Sequence, residues 1–437
     1  MSPFMIGIIS LVVFLVLMLG RMPIAISLGI VGVCGFAAIV NPNAALRLVA
    51  SDIYNVFASY TLSVVGMFVL MGFLAFHAGL GKKLYGIAHR LLAHVPGGLA
   101  MSSVFACTIF GAVCGSNPAT TATIGSIAIP EMKKYGYDNA LATGSIAAAG
   151  GIGAMIPPSV IFIIYGTATE QSVSKLFLAG IIPGLLLALI YMITIWILVK
   201  RNPDLAPQQV SVETELIGKT GNVGGLLEVA LVFVLSLGGL FAGWFTPTEA
   251  GAIGAMGIFV ITFMRKQITW NGIAMALRDT TRTTAMIMFL IAGATIFSHL
   301  IAVSRIPFEL ATAVGGLALP NFVILLIVMV IYLILGTFLD TIPCILLTIP
   351  IFYPVVVDRL GNDPIWFGVL ILMVSAVGVI TPPVGINVYV VKGIAKDIPI
   401  ETIFKGIFPF FIAGILACVL MIIFPQIAVF LPNLMMG

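Results

Sequence analysis

Charge is scarce in this chain: Asp, Glu, Lys and Arg make up 8% of its 437 residues, against 61% that are hydrophobic. A soluble globular domain carries roughly a quarter charged residues, so that class is excluded. The mean hydropathy of +1.21 says the same. Histidine is nearly as rare, and His77, His89, His94 and His299 include no i, i+4 ligand pair of the H-E-x-x-H kind. There is no G-x-S-x-G nucleophile turn and no G-x-x-x-x-G-K-[ST] phosphate loop. The first absence argues against a membrane hydrolase and the second against ATP as direct energy source, so the chain does not read as an enzyme. Cys34, Cys107, Cys114, Cys344 and Cys418 form no C-x-x-C pair and read as small core residues. Met1 to Met5 carry no basic n-region, and the apolar run behind them reaches Gly20 without an A-x-A-like site. That predicts a retained first helix, not a cleaved signal.

What the chain has is apolar runs of about 20 residues, each enough to cross a bilayer. They fall near 4–20, 23–40, 57–79, 97–130, 139–168 and 176–199, and again near 225–244, 248–264, 284–303, 321–357, 364–391 and 404–431. The stretch 200–224 is the long polar interruption and reads as a linker between a first membrane unit, 1–199, and a second, 225–437. The net charge of +4 comes from basic residues in the gaps, such as Lys82, Lys83 and Arg90, or Arg265, Lys266, Arg278 and Arg282. This suits anchoring among membrane lipids and not nucleic-acid binding. Lys and Arg do not alternate from gap to gap, so the counts leave the orientation open.

The two units repeat each other. Pro118, Lys134, Gly136, Asp138, Pro157 and Pro158 recur 225 positions later as Pro343, Arg359, Gly361, Asp363, Pro382 and Pro383. The expected fold is an all-α polytopic membrane protein of two structural repeats, inverted if each half crosses an odd number of times. Its site would lie where broken helices of both halves meet near the midplane. The runs 97–130 and 321–357 are interrupted by Gly115 to Thr123 and by Gly336 to Pro343. Both suit re-entrant hairpins, since irregular backbone at membrane depth must be buried in protein or line a cavity.

The Pro-Pro pairs sit in broken helices near 139–168 and 364–391. A proline removes the N–H that would bond the carbonyl four residues earlier, so Pro157 and Pro158 free the carbonyls of Gly153 and Ala154, and Pro382 and Pro383 those of Gly378 and Val379. Ile156 and Thr381, each before a proline, belong in unwound backbone. Free carbonyls in hydrocarbon need a partner, and a dehydrated hard cation is one; Ser, Thr or water are the alternatives. Ser116, Asn117, Thr120, Thr121 and Thr123 offer neutral hydrogen-bonding groups for an organic anion, with interhelical contacts as the plainer alternative. Asp340 is the acidic residue deepest in apolar sequence and suits cation, proton or arginine pairing, with Arg282 or Arg305 as candidate partners. Thr246, Pro247, Thr248 and Glu249 spell a capping box at a helix start. The G-x-x-x-G spacings at Gly111 to Gly115 and Gly180 to Gly184 read as close helix packing.

Four stretches, GSNPATTATIGSIAIPEM (Gly115 to Met132), GAMIPPSVIFIIYG (Gly153 to Gly166), FTPTEAGA (Phe245 to Ala252) and GVITPPVGINVYV (Gly378 to Val390), resemble the large membrane subunit of the tripartite ATP-independent periplasmic (TRAP) transporters, the DctM type. The resemblance covers essentially the whole chain. It implies a sodium-coupled importer of organic acids, C4-dicarboxylates or sialic acid among them, in the bacterial inner membrane, with a transport domain moving elevator-like against a scaffold. It also implies two partners, a periplasmic substrate-binding protein and a small membrane subunit, the latter expected as a separate polypeptide. No cofactor beyond sodium is implied. Cation contacts would fall on Ser116, Asn117, Gly153, Ile156 and Pro157 in one half, and on Gly336, Thr337, Gly378, Thr381 and Val384 in the other. Substrate contacts would fall on Asn117, Thr120, Thr121, Asp340, Thr341 and Asn387. A stand-alone carboxylate carrier is the alternative, and a channel a more distant one.

Overall fold

The computed structural model describes residues 1–92, 94–207, 224–316 and 319–436, and most of the expected linker lies outside them. Among the described residues the chain is helical without strands, and seven helices are long and apolar enough to cross a membrane. Many of the helices begin on a polar cap. Asn41 accepts from Ala44 N–H at 2.7 Å, and Thr246 and Glu249 form the expected reciprocal capping box, with bonds of 2.8 and 3.3 Å.

The halves share one element order. The first hairpin is Gly98–Cys114 and Asn117–Lys134, and the second is Asn321–Phe338 and Thr341–Tyr353, extended by a wide turn Pro354–Arg359. Each leads into a broken helix: Asn139–Gly150 with the tight turn Gly151–Ala154 and then Val160–Thr169, and Pro364–Gly378 then Ile386–Ile394. Both Pro-Pro bonds are cis. The recurring [KR]-x-G-x-D now has a local meaning. Gly136 and Gly361 take left-handed φ of 74° and 71°, which suits glycine, and end one helix. Asp138 and Asp363 then cap the next, accepting from Ala140 N–H at 2.9 Å and from Trp366 N–H at 2.8 Å.

Two sets of helices result. Ile24–Ile39, Tyr60–His77, Pro247–Met264 and the 34-residue helix Trp270–Val303 pack on one another, while the hairpins and broken helices pack with Val173–Arg201 and Ile400–Ile423. The apolar runs did not foretell the surface helices Pro42–Phe57 and Leu80–Leu92, which carry polar faces and fall in the gaps between spans. The run 284–303 also begins fourteen residues earlier, at Trp270. In the first half Ser59 interrupts the chain by capping Tyr60–His77; its counterpart Thr284 lies inside the continuous helix.

The ends of the helices sort onto two faces. At one, His77 meets Asp279 at 2.9 Å, Asp138 N–H donates to the Leu205 carbonyl at 2.9 Å, and Lys133 pairs with Asp397. That pairing holds the Asp397 carboxyl below its ordinary range. At the other, Asp52 meets His299 at 3.3 Å and the Trp366 indole N–H donates to the Met421 carbonyl at 2.8 Å.

Glycine stripes hold the broken helices. A Cβ on Gly111 would lie 2.1 Å from Gly153 Cα, and one on Gly336 would lie 3.0 Å from Gly378 Cα, the same pair displaced by 225 positions. A Cβ on Gly180 would meet the Met155 carbonyl oxygen at 2.4 Å, and one on Gly184 would meet Ile156 at 2.7 Å. Both G-x-x-x-G spacings therefore serve packing, against the first unwound segment. Overpacking costs about 1–3 kcal/mol, so Gly111→Ala should destabilise strongly, Gly336→Ala less, and Gly29→Ala, which meets nothing within 4 Å, hardly at all. Thermal unfolding of the purified variants reads this order; equal melting points would contradict it.

Candidate functional site

The hairpin tips meet the other helix set across a cavity of about 290 Å³. The first tip contributes Gly115, Ser116 and Asn117 and the second Asp340 and Ile342; Val69, Phe73, Thr283 and Met286 form the facing wall. Gly115 has a φ of 63°, which turns the first tip within two residues. Ser116 starts the next helix without a capping bond from its side chain, leaving its hydroxyl at the cavity.

Asn117 is the junction. Its Oδ1 accepts from Ala154 N–H at 3.1 Å and its Nδ2 donates to Thr341 Oγ1 at 3.3 Å, while the residue is only 3% exposed. The backbone donor fixes which amide atom faces which way. One side chain thus ties the first hairpin tip to the first break and to the second hairpin tip. Asp340 caps the second tip, accepting from Thr341 N–H at 2.7 Å, and among the described residues no ion pair joins it to Arg282 or Arg305.

The other candidates sit behind this wall. Thr121 donates to the Asn117 carbonyl at 2.9 Å and fills the space over Gly150, and the buried Thr120 hydroxyl lies against Gly153. Asn387 Nδ2 donates to the Ala147 carbonyl at 3.0 Å, joining the two broken helices, and its Oδ1 is buried with no hydrogen-bond partner among the described residues.

The two breaks differ. Among the described residues no backbone N–H donates to the carbonyls of Gly153 or Ala154, in line with the proline argument. In the second half that argument needs correction. Gly378 accepts from Thr381 N–H at 2.9 Å and Val379 from Asn387 N–H at 3.3 Å, because the loop back to Gly385 brings new donors. Thr337 is likewise engaged, its carbonyl accepting from Gly385 N–H at 3.3 Å and its hydroxyl donating to Ile334 at 2.7 Å. Val384 is half-buried beside them, and Gly336 lies in contact with Gly378.

A second cavity, of about 370 Å³, follows a turn further along the same helices, where Ile164, Ile291 and Leu346 succeed Ile161, Ile287 and Ile342. Its polar lining is Asp52, Asn55, Ser59, Thr167, Thr295 and Ser298, which sequence reasoning missed. The available signal was the polar residues within apolar spans, but periodicity does not reveal which of them share a cavity.

Comparison with known proteins agrees along the whole length. The family model of the tripartite ATP-independent periplasmic transporter DctM component matches residues 11–427. The C4-dicarboxylate TRAP transporter large permease protein DctM of Pseudomonas aeruginosa is 36% identical over 89% of this chain and 90% of its own. The sialic acid TRAP transporter large permease protein SiaM of Vibrio cholerae is 31% identical over 96% of this chain and 97% of its own. In fold, the Alcanivorax borkumensis YdaH transporter is similar with a TM-score of 0.65 at 15% identity, covering 88% of this chain and 89% of that one.

Removing the Asn117 side chain breaks both bonds and leaves the Ala154 backbone N–H unpaired, which costs about 1–3 kcal/mol, whereas Thr341→Val breaks one bond, of a side-chain amide that borders the cavity, and costs about 0.5–1.5 kcal/mol. Asn117→Ala should therefore lower the unfolding temperature more than Thr341→Val. Equal shifts would contradict the bridging role.

Proposed function

This chain belongs to the DctM family of tripartite ATP-independent periplasmic transporters, as their large permease subunit, and we propose that it imports organic acids of the C4-dicarboxylate or sialic acid kind with sodium as coupling ion. The observation that carries this reading is the Asn117 bridge: one side chain links both hairpin tips to an unwound segment with open carbonyls, beside a cavity of small-molecule size. A cation bound by the Gly153 and Ala154 carbonyls organises Ser116 and Asn117 for a carboxylate held by neutral donors and helix N-termini. Cation and substrate then favour each other's binding, and that reciprocity is the coupling. Asp340 and Thr341 complete the site from the second tip, while Thr120, Thr121 and Asn387 position it.

The mechanism we assign is an elevator. The two helix sets, and the two cavities in succession between them, support one set carrying the site past the other. The hairpins start from opposite faces, which supports inverted repeats. Orientation follows from the basic residues. Of the 20 Lys and Arg, Lys219 lies outside the described residues and Arg47, Lys175, Arg305 and Arg359 follow the chain to one face, so the other 15 gather at the face of Arg265 and Lys133. By the positive-inside rule that face is cytoplasmic, and a periplasmic binding protein would dock opposite it.

Reconstitution with the candidate small subunit tests the proposal. Labelled carboxylate uptake should require both a sodium gradient and binding protein, added on the side away from Asp204→Cys, an exposed position on the basic face that an impermeant maleimide labels. Passive flux in either direction without the binding protein would favour a channel or stand-alone carrier instead.

A further inference from the structure

A separate opening of about 680 Å³ lies between Ile24–Ile39, Pro42–Phe57 and Trp270–Val303, on the outer side of the latter helix. Its walls are apolar, with Ile26, Gly29 and Val33 on one side and Met286, Phe289 and Ile296 on the other. The spacing of Met286, Phe289 and Ile296 puts them on one helical stripe. Continued toward the start of the helix, that stripe runs through Arg282 and Arg278, both exposed. Helical side chains lean toward the N-terminus, so both guanidinium groups are directed toward the basic face at the head of the groove. Arg21 stands two residues before the groove's Pro23, at the same end. Among the described residues none of these arginines is in an ion pair, and the carboxylate beside Arg278, Asp279, faces His77 at 2.9 Å.

We propose that this groove binds a glycerophospholipid with an anionic headgroup, its acyl chain along the apolar walls and its phosphate against Arg282, with Arg278 and Arg21 adding charge. Charge complementarity selects this occupant. A partner's apolar helix would fill the groove but leave three guanidinium groups at its head without a counter-charge. An anionic lipid satisfies both ends at once, and guanidinium suits phosphate by bidentate hydrogen bonding. Met286 borders both this groove and the substrate cavity, but Gly29, Arg278 and Arg282 do not line that cavity, so lipid retention by their variants is read apart from the transport reading.

Native mass spectrometry of the intact protein, in detergent with equal phosphatidylglycerol and phosphatidylethanolamine, tests the proposal. The wild-type chain is expected to retain phosphatidylglycerol preferentially. Each arginine near an anionic surface is worth about fivefold in binding, so R278Q/R282Q together should cut that preference about 25-fold, and Arg282→Lys should restore part of it. Gly29→Leu should displace both lipids without disturbing the fold, because a Cβ there meets nothing within 4 Å. An unchanged lipid preference in the double variant would overturn the proposal. So would a Gly29→Leu chain that keeps its lipid and instead loses co-purification of the small membrane subunit, since the groove would then seat a partner helix.

Discussion

Everything at the centre of this molecule depends on one constraint: an unwound peptide at membrane depth has no water to bond its N–H and C=O groups. The chain breaks two helices with Pro-Pro pairs and must then bury what it has broken. Glycines do this at the first break, where Gly111 and Gly153 approach through their backbones and Gly180 and Gly184 cover Met155 and Ile156. Asn117 supplies the acceptor that Ala154 N–H lacks, and its other end reaches the opposite hairpin. The second break keeps the glycine contact but resolves its carbonyls internally, through Thr381 and Asn387. The halves are alike in order and unlike in bonding. That difference suits a proposed coupling in which one site is open to a cation and the other is already knitted by backbone.

Much of this was legible in the residues. The 225-position repeat marked matched hairpins and broken helices, and Thr246 to Glu249 announced a capping box that forms as spelled. The G-x-D of each half was legible only as a recurrence; its sense, a left-handed stop and an aspartate cap, needs the dihedral angles. Surface helices such as Leu80–Leu92 were missed because thirteen half-polar residues give no spanning signal. That omission also explains why the charges looked disordered along the chain. Surface helices and returning hairpins move basic residues to one face without a crossing between them, so a count made gap by gap has no pattern. The rebonding of Gly378 and Val379 was beyond sequence, since proline chemistry states what is lost and the fold decides what replaces it.

The same reasoning separates residues at the cavity from those that shape it. Ser116, Asn117 and Asp340 line the space between the tips, whereas Thr121 spends its hydroxyl on its own helix and Asn387 joins the two broken helices. Small polar residues in membrane helices serve both purposes, and composition does not tell them apart. Position relative to the break does, because backbone N–H and C=O groups at a helix end have bonding capacity left for a ligand.

Hydrogen exchange of the purified protein in sodium compared with potassium tests the central claim most directly. If a cation is held by the first break, sodium will slow exchange across Gly111–Thr121 and Gly151–Ser159, with a smaller effect across Val379–Gly385, where the carbonyls already have partners. Protection that is absent, or spread evenly over helices remote from the tips, would contradict the account.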